Sequence, residues 1–302
     1  FEPEPTRLLA RTFLWGAGAA TFLAMVVNEI VGAAAGEWAM AVVSAPIAEE
    51  VAKALALLFV IRKRPGILDG VHDGIVYAAW VGLGFATVEN ILYYGAALIE
   101  DGAGGLTAVF VLRGLMLPLC HPIFTAMTGI GLGLAVASRR GRAVKFLLFA
   151  AGLMLAILLH ALWNASTYSD AVVIAYLVGY LPLAAVGIAI LVLGARRERR
   201  ILRTGLEVEV GRGTISRDEY AILTAGGRSR GRLRRRARRA GRGARRLLHV
   251  YETAAYELAH LEARGLRPGA DADPVAVAAS YRACLLSARG GLRNIDPSLL
   301  PA

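Results

Sequence analysis

The sequence predicts an all-α polytopic membrane protein, with about six transmembrane helices over residues 1–195 and a small basic helical domain over residues 196–302. Three observations predict it. The 302 residues are 56% hydrophobic, with 34 glycines and a mean hydropathy of +0.53, too apolar for a water-soluble domain of this size. Six apolar runs are each long enough to cross a hydrocarbon layer about 30 Å thick at about 1.5 Å per helical residue. The formal charge of +11 is also segregated: residues 1–195 carry a net −1 and residues 196–302 a net +12.

The runs fall at about residues 12–35, 38–61, 71–98, 106–137, 146–168 and 171–194. Their connections alternate in sign. Arg62, Lys63 and Arg64 follow the second run, Glu100 and Asp101 the third, Arg139, Arg140, Arg142 and Lys145 the fourth, and Asp170 the fifth. Basic connections stay in the cytoplasm, so both termini of a multi-pass membrane protein are expected there. The chain opens with Phe1 rather than methionine, so no targeting segment is judged from it. Cys120 and Cys284 lie one in each part, which rules out a disulfide framework and a cysteine-rich zinc module.

Beyond the sixth run, Ser216 with Glu219 reads as a capping box, and Asp273 before Pro274 as a cap followed by a first-turn proline. Leu247, Leu248, Tyr251, Leu258 and Leu261 are expected to pack on Tyr281, Leu285 and Leu286. Arginines crowd Arg228–Arg246 with no aromatic among them. That pattern fits a basic face near anionic lipid headgroups, and the missing stacking residues argue against nucleic acid.

Ionisable residues inside the runs need a reason to be there, since each costs about 2.5–3.5 kcal/mol at mid-membrane. The second run carries Glu49, Glu50 and Lys53, the third Glu89 and Asn90, the fourth Arg113 and His121, and the fifth His160 and Asn164. Spacings of three and four put Glu49 and Glu50 on the face of Lys53, and His160 on the face of Asn164. Glu49, Glu89, His121 and His160 lie within roughly 10 Å of one another in depth, so one shared site is possible. Pro46, Pro118 and Pro122 can kink their helices and open room there. Two adjacent carboxylates beside a cation are equipment for general acid and base catalysis. His160 and Asn164 can donate to an oxyanion, or His160 can bind a metal. Together they describe amide hydrolysis by activated water. An ion-coupled transporter is the alternative, since intramembrane carboxylates beside lysine also serve proton relays.

The ordered set E-E-x-x-K (Glu49, Glu50, Lys53), F-x-x-x-E-N (Phe85, Glu89, Asn90), His121 and H-x-x-x-N (His160, Asn164) resembles the PrsW family of intramembrane proteases, relatives of the prenyl-protein (CAAX) endopeptidases and Abi proteins. The likeness covers about residues 38–168, and Asp69-Gly70 and Asp73-Gly74 fit it too. CAAX relatives have histidine at the place of Glu89, and many have arginine at that of Lys53. The resemblance implies that Glu49 is the base that activates water, with Glu89 assisting and Glu50 a second carboxylate. Lys53 would hold their charge, His160 and Asn164 would form the oxyanion pocket, and His121 would line it. It implies a metalloprotease for which Glu89, His121 and His160 could take zinc, although the related endopeptidases work through glutamate without an obligatory metal. It also implies a bacterial plasma-membrane location and a membrane-protein substrate, an anti-sigma factor in a stress response. Asn28, Glu29 and Arg113 match none of these motifs and read as interhelical ion pairs or headgroup-level residues. Trp15, Trp80 and Trp163 read as membrane-interface or packing residues, and Gly82, Gly84, Gly129, Gly131 and Gly133 as close helix packing.

Overall fold

The computed structural model describes residues 5–64, 67, 68, 70–225, 227–263 and 273–300, so Asp69 lies outside the described residues. The described residues are helical, without a strand among them, and fall into two compact units, Glu4–Leu191 and Val192–Ala302.

In the first unit, α1 (Thr6–Ala35) ends at Gly36, whose φ of +86° is the left-handed conformation that glycine takes without strain. A widened turn at Met40–Ser44 then leads into α2 (Ala45–Lys63). Pro46 stands in the first turn of α2, where its missing donor costs little, and Arg62 and Lys63 sit in the last turn beside the unpaired carbonyls. Helix α3 (Val71–Val109) turns back at Gly102, where φ is +68°, and a widened turn at Phe110–Met116 carries Arg113 toward α4 (Cys120–Ala137). The apolar run expected as one helix over residues 106–137 is therefore broken at residues 117–119, where Pro118 supplies no amide proton. The break sets His121 in the first turn of α4. Next come α5 (Arg142–Thr167) and α6 (Leu181–Gly211).

Four stretches of described residues are long and apolar enough to cross a membrane: Thr6–Ala35, Val71–Ala137, Arg142–Thr167 and Val172–Gly211. The second doubles back at Gly102 and supplies two crossings. Helix α2 falls outside the four because Glu49, Glu50 and Lys53 interrupt its apolar run, yet its 19 residues are of crossing length and it packs against α1, α3, α4 and α5. The count reaches six.

Side chains are distributed inside out. Ile99 is 86% exposed and Val178 72%, whereas Glu50 and Lys53 are fully buried. An apolar exterior around a polar centre suits lipid as the surrounding solvent.

Close helix packing holds the bundle, and at the glycines it brings backbone against backbone. A Cβ at Gly129 of α4 would stand 2.2 Å from the Gly74 carbonyl oxygen of α3, and one at Gly84 of α3 would stand 2.0 Å from the Phe13 oxygen of α1. Gly131 meets Gly152 of α5 in the same way, while Gly82 meets Pro122 and Gly133 meets Gly70. Gly129→Ala is expected to force α3 and α4 apart and cost about 1–3 kcal/mol or more, because a backbone neighbour cannot rotate away. Thermal unfolding in detergent checks this, and an unchanged midpoint would contradict it.

In the second unit, α6 continues into α7 (Arg217–Thr224), α8 (Gly227–Arg239), α9 (Arg242–Ala263) and α10 (Pro274–Ile295). The Ser216–Glu219 capping box and the Asp273 cap are formed. Leu248, Tyr251, Leu258 and Leu285 are buried, and Leu247 and Tyr281 pack against the core. Leu286, expected in this core, instead lies 41% exposed. Buried Glu209 accepts both Nε and a terminal nitrogen of Arg282, and Glu262 joins them through Arg282 and Arg212.

Candidate active site

Four helices bring their polar residues together around one ammonium group. Lys53 spends all three of its protons: Nζ donates to Glu50 Oε1 at 2.8 Å, to His121 Nδ1 at 3.0 Å and to Glu49 Oε2 at 3.4 Å. The Phe85 ring lies under it, 3.9 Å from Nζ to centroid. This explains how a fully buried lysine is tolerated.

The three carboxylates are held differently. Glu50 is saturated: Oε1 accepts from Lys53 and from His160 Nδ1 at 3.2 Å, and Oε2 accepts from Thr125 Oγ1 at 3.0 Å. Glu89 Oε2 is gripped by the Arg113 guanidinium and by His121 Nε2 at 2.7 Å. Glu49 has only the long contact to Lys53, with His121 Nδ1 and His160 Nε2 each 3.9 Å away. It faces a cavity of about 200 Å³ that Glu89, His121, His160 and Asn164 also line. Polar atoms 3.9 Å apart at a cavity wall are spaced for a bridging water. Three carboxylates also face only two permanent cations, Lys53 and Arg113, so one charge or one proton is left to be carried among Glu49 and the imidazoles.

The bonds assign roles to the two histidines. His121 accepts from Lys53 at Nδ1 and so donates from Nε2 to Glu89, a neutral tautomer with both nitrogens engaged. His160 donates from Nδ1 to Glu50, which turns Nε2 toward Glu49, and its ring stacks on Phe124 at 5.0 Å.

All seven residues singled out in the sequence line or adjoin this cavity, but Asn164 is partly committed. Its Nδ2 donates to the Ala41 carbonyl oxygen at 2.8 Å, tying α5 to the turn before α2 and leaving one amide proton. Sequence reasoning set Arg113 aside, and the ion-pair reading of it holds: it bridges Glu89 and Asn90 Oδ1, the latter at 2.8 Å, and stacks on Tyr93 at 3.9 Å. What was missed is that this pair belongs to the site. Thr125 was missed outright, although it lies one helical turn after His121 on the same face. Asn28, read as an ion-pair or headgroup-level residue, makes no ion pair: it lines the cavity, and its buried Oδ1 has no hydrogen-bond partner among the described residues.

Glu49, His121 and His160 each bring a donor atom within 4.8 Å of the others, the composition of a two-histidine, one-carboxylate zinc site. The carboxylate of this set is Glu49 and not Glu89, whose oxygen is taken by Arg113 and His121. As they stand the three do not fit a divalent ion. Neither nitrogen of His121 has a free lone pair, and the Lys53 ammonium is bonded to two of the three donors.

Comparison with known proteins places this arrangement in context. Residues 4–192, the whole of the first unit, match a family described as PrsW family intramembrane metalloprotease. The chain is 34% identical over 146 residues to Protease PrsW of Geobacillus kaustophilus, covering 46% of this chain and 60% of that protein. It is 32% identical over 150 residues to Protease PrsW of Bacillus subtilis, covering 49% and 64%. Protease PrsW of Oceanobacillus iheyensis is 35% identical over 118 residues, covering 38% and 48%. The chain thus spans less than two thirds of the length of these relatives. No solved structure matches it.

Proposed function

The chain belongs to the PrsW family of intramembrane proteases, and on that premise we propose that it hydrolyses a peptide bond of a transmembrane or membrane-proximal protein with water activated by Glu49. One observation carries the choice of Glu49: of the three carboxylates it is the one without a close hydrogen bond, and it faces the cavity beside both imidazoles.

In this reading Glu49 takes a proton from a water held between it and His160 Nε2, and the oxygen attacks the scissile carbonyl. Glu49 hands that proton to His160 Nε2 3.9 Å away, and His160 and the remaining amide proton of Asn164 donate to the developing oxyanion. The proton then passes to the leaving amine. Glu50 orients His160 and Lys53, Glu89 with Arg113 fixes the tautomer of His121, and Asn28 Oδ1 accepts an amide proton of the substrate backbone. Lys53 sets its ammonium 3.4 Å from Glu49 Oε2, where it faces the carboxylate's negative charge, and no step passes through a metal. By the family resemblance, the natural substrate we propose is a membrane-spanning anti-sigma factor.

The test is direct. The full chain in proteoliposomes, given a single-span test protein, is expected to cut it within the span or a few residues from its end, as read by mass spectrometry. Intact substrates across a panel of spans, with the enzyme folded and inserted, would overturn the proposal.

A further inference from the structure

Helix α8 is amphipathic in an unusual way. Leu233 and Ala237 are buried in the core of the second unit, and the neighbours on that face are used internally: Arg234 pairs with Glu252 at 2.9 Å, and Arg230 Nε donates to the Ala225 carbonyl. Arg232, Arg235, Arg236 and Arg239 occupy the opposite face at helical spacing, and all four are exposed. The pattern repeats on α9, where Ala244 and Leu248 are buried while Arg242, Arg245, Arg246 and His249 form an exposed stripe at the same spacing.

Seven arginines therefore stand on two exposed stripes. Carboxylates elsewhere in the unit are engaged by other arginines: Glu209 and Glu262 by Arg212 and Arg282, Glu219 by Arg289 and Glu252 by Arg234. Asp296 reaches Arg236 electrostatically, and none of the seven makes an ion pair among the described residues. Folding does not need these charges, since the helices are anchored by their other faces. Mutual repulsion among them is a standing cost that an external polyanion would relieve.

We infer that the two arginine stripes are a docking surface for an anionic lipid bilayer. Two observations favour a bilayer over nucleic acid. Helix α6 runs unbroken from the apolar Leu181 to Gly211, so the chain that enters this unit is the one that leaves the last crossing, and a bilayer is always within reach at high effective concentration. The stripes also carry no phenylalanine, tyrosine or tryptophan, the broad rings on which successive bases stack. On an anionic leaflet each such arginine multiplies binding by about fivefold, and the attraction is screened within about 10 Å at moderate salt.

The test uses the full chain with Arg239→Cys and Cys284→Ser, labelled with a fluorophore, in nanodiscs carrying a trace of headgroup-nitroxide lipid. In discs with about a third phosphatidylglycerol the label is expected to be quenched at least about twofold more than in phosphatidylcholine discs, and about 0.5 M salt is expected to abolish the difference. Replacing Arg232, Arg235, Arg236, Arg242, Arg245 and Arg246 by Gln should abolish it too, with the helical circular-dichroism signal unchanged. If that variant misfolds, replacing Arg242, Arg245 and Arg246 alone should still weaken the lipid-dependent quenching. Equal quenching in both discs, or a lipid-dependent difference kept by the Gln variants, would overturn the inference. Tight oligonucleotide binding by chain in neutral discs, with no response to anionic lipid, would overturn it in favour of nucleic acid.

Discussion

Glu49→Gln is expected to lower the cleavage rate by about 10²–10⁴-fold while leaving the protein folded, the span of a lost general base. The substitution is nearly isosteric, and the contact it weakens is the longest in the cluster, 3.4 Å from Lys53 Nζ. Structure should therefore survive where chemistry does not. Glu50→Gln is a useful contrast. Glu50 is saturated by Lys53, His160 and Thr125, so an amide there turns an acceptor into a donor facing other donors, and its loss should appear in stability as well as in rate. The measurement is cleavage of a single-span substrate in proteoliposomes, paired with thermal unfolding of each variant. Full activity in Glu49→Gln would remove Glu49 from the role given to it here.

Lys53→Met should be the most damaging change to the fold. It removes the three protons that hold Glu49, Glu50 and His121 and leaves two buried carboxylates side by side. Breaking a buried charge cluster by deleting one partner costs about 3–5 kcal/mol, much of it the charge left unpaired. The double variant Lys53→Met, Glu50→Gln removes one of the stranded charges and is expected to recover about 1–3 kcal/mol relative to the sum of the single changes. Thermal scans in one detergent would read both effects. If Lys53→Met melts where the parent does, the ammonium is not what holds the cluster together.

Much of this was legible in the sequence because the membrane penalises charge. Glu49, Glu50, Lys53, Glu89, His121 and His160 stand out in apolar runs, and helical spacing already assigns each to a face. The fold class was legible for the same reason, since apolar runs of crossing length have few other uses. Pair geometry was not. Spacing places Glu49 and Glu50 equally near Lys53, and only the approach of α4 and α5 shows that Thr125 and His160 saturate Glu50 and leave Glu49 loosely held. Arg113 looked like a stray charge because its partner Glu89 lies 24 residues away, beyond the reversal at Gly102. Leu286 was expected inside because it is apolar and adjoins Leu285, but on a helix adjacent residues point about 100° apart, and Leu285 takes the buried direction. Asn28 gave no signal, because an amide in an apolar helix is as often glue as contact.

The claim most exposed to test is that Lys53 is the resident cation of this centre and Glu49 its base. Cleavage by the unmodified chain should be measured in proteoliposomes stripped of metal, with content read by elemental mass spectrometry. The account predicts a rate within about twofold of the untreated enzyme even at about one metal atom per ten chains or fewer, because His121, one of the three donors a zinc ion would need, already has both nitrogens engaged by Lys53 and Glu89. A rate that falls in step with zinc content and returns when zinc is added back would contradict it.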